Sequence, residues 1–296
     1  VGLSGTPWAM WMGDFYEMMV TPTTMKECIE NGILCEYELY APTKPNLKNV
    51  KIKKGDYDES EIAEIMSGVD IVGDIVKNWI ENGNNLPTIC FAVNVAHANF
   101  VVQSFIDVGI AAEIITAHTD KEEREQIFRR FDKGLTKIIV NVGTLVAGFD
   151  RDVRCIIWAC PTKSEIKWVQ SIGRGLRTAK GKDKALIFDH AGTVLALGFP
   201  EEIYYPELFN SKSKAEKEKK EAQQKERQEK LPTECGACKF VKPVGVHACP
   251  RCGFAPVRIE NVEVDESRNL EVVKGKKKEY SQQDKQQFYS EVQGYR

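Results

Sequence analysis

From residue 69 to residue 209, short apolar runs alternate with stretches of helical periodicity, and this alternation restricts the fold more than any other feature of the chain. Residues 88–93 (TICFAV), 113–116 (EIIT), 137–142 (KIIVNV), 155–160 (CIIWAC) and 184–189 (KALIFD) read as five buried strands. Between them, residues 69–80 and 95–108 carry apolar positions at helical spacing. Thr119 and Glu122 form a Thr-x-x-Glu capping pattern that predicts a helix through Phe131, and Ser164 can cap another running to about Ile172. Strands separated by helices predict an α/β domain with a mainly parallel sheet, which places ligands at the C-terminal ends of its strands.

Residues 211–230 break the pattern. They hold almost no apolar side chain, and Glu216–Lys220, Glu221–Lys225 and Glu226–Lys230 fall at i,i+4, which predicts a solvated helical linker. Cys235 and Cys238, then Cys249 and Cys252 after ten intervening residues, form two Cys-x-x-Cys pairs. Four thiolates at this spacing can hold one Zn²⁺ tetrahedrally, and with every ligand supplied by protein the ion is structural. Gly253 suits the tight turn behind the second pair. Cys28, Cys35, Cys90, Cys155 and Cys160 lie in apolar surroundings and read as small core residues. This usage fits a reducing compartment with a metal site rather than a disulfide framework. No run of eighteen apolar residues is present, so no membrane helix is expected. The net charge of −2 does not mark a nucleic-acid binder, although positive charge can be concentrated along a single groove.

Three further segments carry chemistry. Gln170-Ser-Ile-Gly-Arg174-Gly-Leu-Arg177 puts two arginines three residues apart near a helix end, and a guanidinium fork suits phosphate. Asn141-Val-Gly143-Thr144-Leu-Val-Ala-Gly148-Phe-Asp150 directly follows a strand. Its Gly143 and Thr144 can donate to a phosphate backbone, and Asp150 can accept from a ribose hydroxyl or orient an arginine. Leu3-Ser4-Gly5-Thr6-Pro7 is a small hydroxyl-bearing turn.

In order and spacing these segments resemble the later motifs of a superfamily 2 nucleic-acid helicase. Residues 3–7 resemble motif III, with Gly5 where Ala is usual; residues 88–97 resemble motif IV, 141–150 motif V and 170–177 motif VI. The likeness extends through Pro161-Thr-Lys-Ser164 and Phe188-Asp-His-Ala-Gly192, covers about residues 1–206, and is to DEAD/DEAH-box helicases of the type III restriction-subunit kind found in bacteria and phages. The resemblance implies a RecA-like fold. It implies that Arg174 and Arg177 reach the γ-phosphate of ATP with Gln170 in support, and that Gly148 and Asp150 lie near the ribose. It places Asn94, Gly143 and Thr144 on the nucleic-acid backbone, DNA in preference to RNA, and gives Ser4 and Thr6 the coupling of hydrolysis to movement. His97 and His118 read as ordinary histidines beside that groove.

Neither Gly-x-x-x-x-Gly-Lys-Ser/Thr nor Asp-Glu-x-His occurs in the sequence. In the family both belong to a first RecA-like domain, which also helps to bind ATP and Mg²⁺. The expectation is therefore a fragment. Residues 1–34 would end the first RecA-like domain, 35–210 form the second, 211–232 a charged linker, 233–256 the zinc-ribbon-like module, and 257–296 a polar tail. The partners expected are nucleic acid and the first domain in cis, in the cytoplasm of a bacterial or phage-infected cell. Two rival readings are a duplex translocase of a restriction or remodelling system, and a non-catalytic nucleic-acid-binding module.

Overall fold

The computed structural model describes residues 1–144 and 150–256. In chain order the α-helices are α1 (Met25–Glu30), α2 (Glu59–Met66), α3 (Val69–Asn82), α4 (Val95–Asp107), α5 (Lys121–Asp132), α6 (Glu165–Gly175), α7 (Thr193–Leu197) and α8 (Lys214–Gln228). The strands are β1 (Glu36–Tyr40), β2 (Ile52–Lys53), β3 (Asp56–Tyr57), β4 (Thr88–Ala92), β5 (Ala112–Ile115), β6 (Ile138–Asn141), β7 (Cys155–Ala159), β8 (Lys184–Asp189), β9 (Thr233–Glu234) and β10 (Val241–Lys242).

Six strands form one parallel sheet in the order β1-β8-β7-β4-β6-β5. Every residue of β4, β6 and β7 is buried, which requires cover on both faces of the sheet, as in a doubly wound fold. The fold is therefore the α/β, RecA-like arrangement expected. The edge strands β1 and β5 are only partly buried. Strand β1 was not foreseen. Its sequence, Glu-Tyr-Glu-Leu-Tyr, offers one buried residue, and its place comes from pairing in register with β8, Glu36 opposite Lys184 through Tyr40 opposite Phe188.

The cap of α5 falls one residue later than the Thr119 pattern predicts. Asp120 Oδ1 accepts from the Glu123 N–H at 2.8 Å, while Thr119 Oγ1 accepts from the Thr116 N–H at 2.9 Å and closes the preceding turn. A carboxylate one position nearer the helix displaces the hydroxyl from the cap. Ser164 caps α6 as expected.

The charged segment is helical, with no buried residue in α8, yet it is docked. Arg227 pairs with Glu165 at 2.7 Å and lies over the Tyr205 ring, and Tyr205 Oη donates to the other Glu165 oxygen at 2.7 Å. Lys220 Nζ donates to the Trp8 carbonyl at 2.7 Å instead of pairing with Glu216. Glu226–Lys230 forms as the spacing predicts. Residues 1–256 make one unit, so the four-cysteine segment belongs with the sheet. Residues 257–296 lie outside the described residues.

Candidate functional site

The arginine helix α6 is fixed along its whole length. At its start Ser164 Oγ accepts from Lys167 N–H at 3.2 Å, and Glu165 is held by α8. In its middle Trp168 stacks edge-on against Trp158 of β7 with ring centroids 5.4 Å apart, and its indole donates to the Gly198 carbonyl at 3.2 Å. At its end Gly175 is buried against β7, where a Cβ would lie 2.5 Å from Ile156 Cδ1. The close approach that glycine permits at Gly175 is therefore to the sheet.

Lys182, which no sequence motif marks, closes the same end. Its ammonium, on a side chain 9% exposed, donates to the carbonyls of Gly175 at 2.5 Å, Arg177 at 2.7 Å and Val153 at 2.7 Å. Three donors meet three acceptors, and a cation sits where a helix C-terminus is negative. Burial pulls its pKa down.

Thr6, 2% exposed, accepts from Gln170 Nε2 at 2.6 Å through its hydroxyl, and its own N–H donates to Ser4 Oγ at 3.1 Å. Ser4, Thr6, Gln170, Gly173, Arg174 and Arg177 line one cleft of about 420 Å³. Arg177 is paired with Asp150, an exposed carboxylate 27 residues upstream. Burial, and then the like charge of Arg177, lower the pKa of the half-buried Arg174, while Asp150 opposes them. Two guanidinium groups at the mouth of one cleft, beside hydroxyls and a carboxamide, are suited to a polyphosphate. Gly148 lies outside the described residues.

The remaining sequence candidates stand at the opposite edge of the sheet, because all its strands point one way. Asn94 follows β4, and Gly143 and Thr144 follow the adjacent β6. Asn94 Oδ1 accepts from the His97 N–H at 2.9 Å and caps α4, which leaves its amide N–H₂ for an outside acceptor. Gly143 has φ +65°, and the enclosed Thr144 Oγ1 has no hydrogen-bond partner among the described residues. His97 is fully buried, accepts from the Val93 N–H at 3.2 Å, and is held neutral by burial with its pKa near 4. His118 is exposed. Asp150, the next described residue after Thr144, meets Arg177 at the arginine cleft.

The four cysteines of the C-terminal module converge, with all sulfurs within 4.8 Å of one another and Cys235–Cys252 and Cys238–Cys249 both at 3.7 Å. A tetrahedral ion with Zn–S of about 2.3 Å requires sulfurs about 3.8 Å apart. The two halves repeat one backbone pattern. Cys235 N–H donates to Phe240 O at 2.8 Å and Lys239 N–H to Cys235 O at 3.0 Å, while Cys249 N–H donates to Phe254 O and Gly253 N–H to Cys249 O, both at 2.8 Å. Lys239 (φ 60°) and Gly253 (φ 74°) occupy equivalent left-handed positions, so the first turn uses a lysine where the second uses glycine. The backbone N–H groups of Cys238 and Ala237 lower the pKa of the Cys235 thiol, whereas burial raises that of Cys238, so it is the convergence of the four sulfurs that marks the site. The residues present therefore fit a structural Zn²⁺. The first turn docks on edge strand β1: Ala41 N–H donates to Lys239 O at 3.0 Å, Tyr40 pairs with Phe240, and Arg251 donates to Tyr40 Oη at 3.1 Å. The five other cysteines lie apart from this cluster; four are buried, and burial pushes the pKa of Cys155 up to about 12.

Residues 69–179 match the helicase conserved C-terminal domain family, an interval that contains Asn94, Gly143, Thr144, Asp150, Gln170, Arg174 and Arg177. Over this interval the chain is similar to the C-terminal domain of helicases. It is 28% identical over 260 residues to a 51.5 kDa protein of a Lactococcus phage, covering 86% of this chain and 55% of that one. It is 30% identical over 171 residues to the protein of Saccharomyces cerevisiae named as an ATP-dependent helicase, IRC3, covering 56% of this chain and 25% of that one. The chain thus spans about half the length of the phage relative and a quarter of the yeast one. Among solved structures it resembles a fragment assigned to an HsdR subunit of a type I restriction enzyme from Vibrio vulnificus, with TM-score 0.53 and 18% identity over 67% of this chain and 40% of that one, a likeness of fold. Among the described residues no helix is long and apolar enough to cross a membrane.

Proposed function

We propose that this chain supplies the second motor domain of an ATP-dependent helicase or translocase that moves along nucleic acid, DNA in the first instance. The observation that carries the reading is the convergence of Thr6, Gln170, Arg174 and Arg177 on one cleft although Thr6 and Gln170 are 164 residues apart in the chain. ATP and Mg²⁺ would be held mainly by a first RecA-like domain, and closure would carry Arg174 and Arg177 onto the γ-phosphate. There they would stabilise the charge that develops in phosphoryl transfer, an effect of roughly 10³–10⁵ in rate for arginines supplied in this way. Gln170 would hold the arginine helix against the Ser4–Thr6 turn, so that closure at the cleft also moves that turn. Gly148 and Asp150 would approach the ribose, with Asp150 also orienting Arg177. Asn94, Gly143 and Thr144 would hold the sugar–phosphate backbone of a strand at the far edge of the sheet.

Zn²⁺ on Cys235, Cys238, Cys249 and Cys252 would cross-link the module that covers β1. The lysine and carboxylates that position ATP and Mg²⁺ are not found in this sequence as recognisable motifs. The 296-residue chain by itself is accordingly expected to hydrolyse no ATP, and the full-length protein to hydrolyse it faster when nucleic acid is added. Turnover by the chain alone that depends on Arg174 would overturn this division of labour. Strand displacement by the full-length protein would assign unwinding; nucleic-acid-stimulated turnover without displacement would assign translocation.

A further inference from the structure

Residues 41–55 contain five lysines (Lys44, Lys48, Lys51, Lys53 and Lys54) and no acidic residue, in a chain whose net charge is −2. The segment leaves β1 at its C-terminal end and runs along the C-terminal edge of the sheet. Thr43 Oγ1 is 2.9 Å from Nδ1 of His190, the residue that follows β8. Farther on, the segment folds into the β2–β3 hairpin, whose Asp56 accepts from Thr162 Oγ1 at 2.6 Å and from the Lys163 N–H at 2.7 Å, in the loop that follows β7. The hairpin turn is Lys54-Gly55 with φ of 52° and 84°, the two positive values of a type I′ turn. Lysine stands where asparagine is the ordinary choice for that backbone.

The segment therefore lies across the ends of β1, β8 and β7. The next strands in the sheet are β4 and β6, whose ends carry Asn94, Gly143 and Thr144. β7 and β4 pair directly, so the hairpin anchor after β7 and Asn94 after β4 follow neighbouring strands, which lie about 4.8 Å apart. Lys51 pairs with Glu61 and Lys53 with Asp58. Lys44, Lys48 and Lys54 are exposed and make no ion pair among the described residues, and Lys163 is also exposed, beside the Tyr57 ring. Exposed cations on an ordered edge that pair with no acid among the described residues, as Lys44, Lys48 and Lys54 do, match the phosphates of a nucleic-acid strand and carry no base code.

We propose that residues 44–54 form a phosphate-binding track for the sugar–phosphate backbone, extending the strand path from Asn94 and Gly143 across β7 and β8 toward β1. This rests on the motor reading above. A peptide or protein ligand for the same lysines would need acids of its own and would leave nucleic-acid binding untouched when they are removed.

The test is equilibrium binding of the full-length protein to fluorescent single-stranded and duplex DNA over a salt series, beside the triple variant Lys44→Gln, Lys48→Gln, Lys54→Gln. The variant is expected to bind about tenfold or more weakly, and to lose about two to three from the slope of log affinity against log salt, since each phosphate contact contributes about 0.7–0.9. The corresponding triple arginine variant should restore both. Equal affinity and equal slope, with unchanged thermal stability, would overturn the track while leaving the motor reading intact. Wild-type protein that binds neither form of DNA, and no RNA of the same length, would overturn the motor reading itself.

Discussion

Gln170 donates a 2.6 Å hydrogen bond to the buried hydroxyl of Thr6, and so ties the arginine helix α6 to a turn at the other end of the chain. The consequence is mechanical: Arg174 cannot swing on its helix without drawing on the Ser4–Thr6 turn. Thr6→Val and Gln170→Ala should each slow nucleic-acid-stimulated ATP hydrolysis by about tenfold, the equivalent of one net hydrogen bond of about 1–1.5 kcal/mol. The double variant should be no slower than the worse single one, because both changes remove the same contact. Additive losses would mean that the two side chains act separately.

Lys182→Met keeps the length of the side chain but strips three carbonyls of their shared donor. A loss of about 1–3 kcal/mol in stability is expected, seen as a Tm lower by several degrees. Turnover should fall with it even at temperatures where the variant is folded, because the carbonyls of Gly175 and Arg177 define the turn that aims Arg177. A variant that melts lower but turns over normally would confine Lys182 to stability.

Purified protein should contain about one Zn²⁺ per chain, and Cys252→Ser should remove it. Chelation should free the first cysteine turn from β1, exposing Tyr40 and an edge strand that the module covers. Hydrogen exchange at the backbone amides of Tyr40 and Ala41 reports this directly; protection unchanged after removal of the metal would mean that the module holds without it.

His97 and His190 are both buried, and burial depresses their pKa values to about 4 and about 3. An unfolded histidine titrates near 6.5, so below that pH the unfolded chain takes up protons that the folded one refuses. Stability should therefore fall as pH drops from about 6.5 toward 4. Asp189, raised to about 6 by burial, opposes this in part, since the folded state then holds the extra proton. His190→Gln should flatten the acid limb of a Tm–pH curve relative to wild type; an unchanged limb would show that His190 does not contribute to it.

Much of this architecture is legible in the sequence because the central strands are continuous apolar runs and the motifs sit at their ends. What escaped reading depends on contacts distant in the chain. Strand β1 has one buried residue and exists through β8. Lys182 looks like another surface lysine until three carbonyls surround it. The residues of α8 read as a solvated linker because almost none is apolar, yet Arg227 and Lys220 dock through Glu165, Tyr205 and the Trp8 carbonyl. The lysine track carried a signal, five lysines without an acid, that was visible in the sequence but had no place until the sheet order set it beside Asn94 and Gly143.

The central claim is that Arg174 acts on ATP and not on nucleic acid. Its most direct test is the ATPase activity of full-length protein with and without saturating DNA, for wild type and Arg174→Ala, alongside DNA affinity. The account predicts stimulated turnover in the wild type, a loss of about a thousandfold or more in the variant, and the same DNA affinity in both. Turnover retained in the variant, or lost only in proportion to weakened DNA binding, would contradict it.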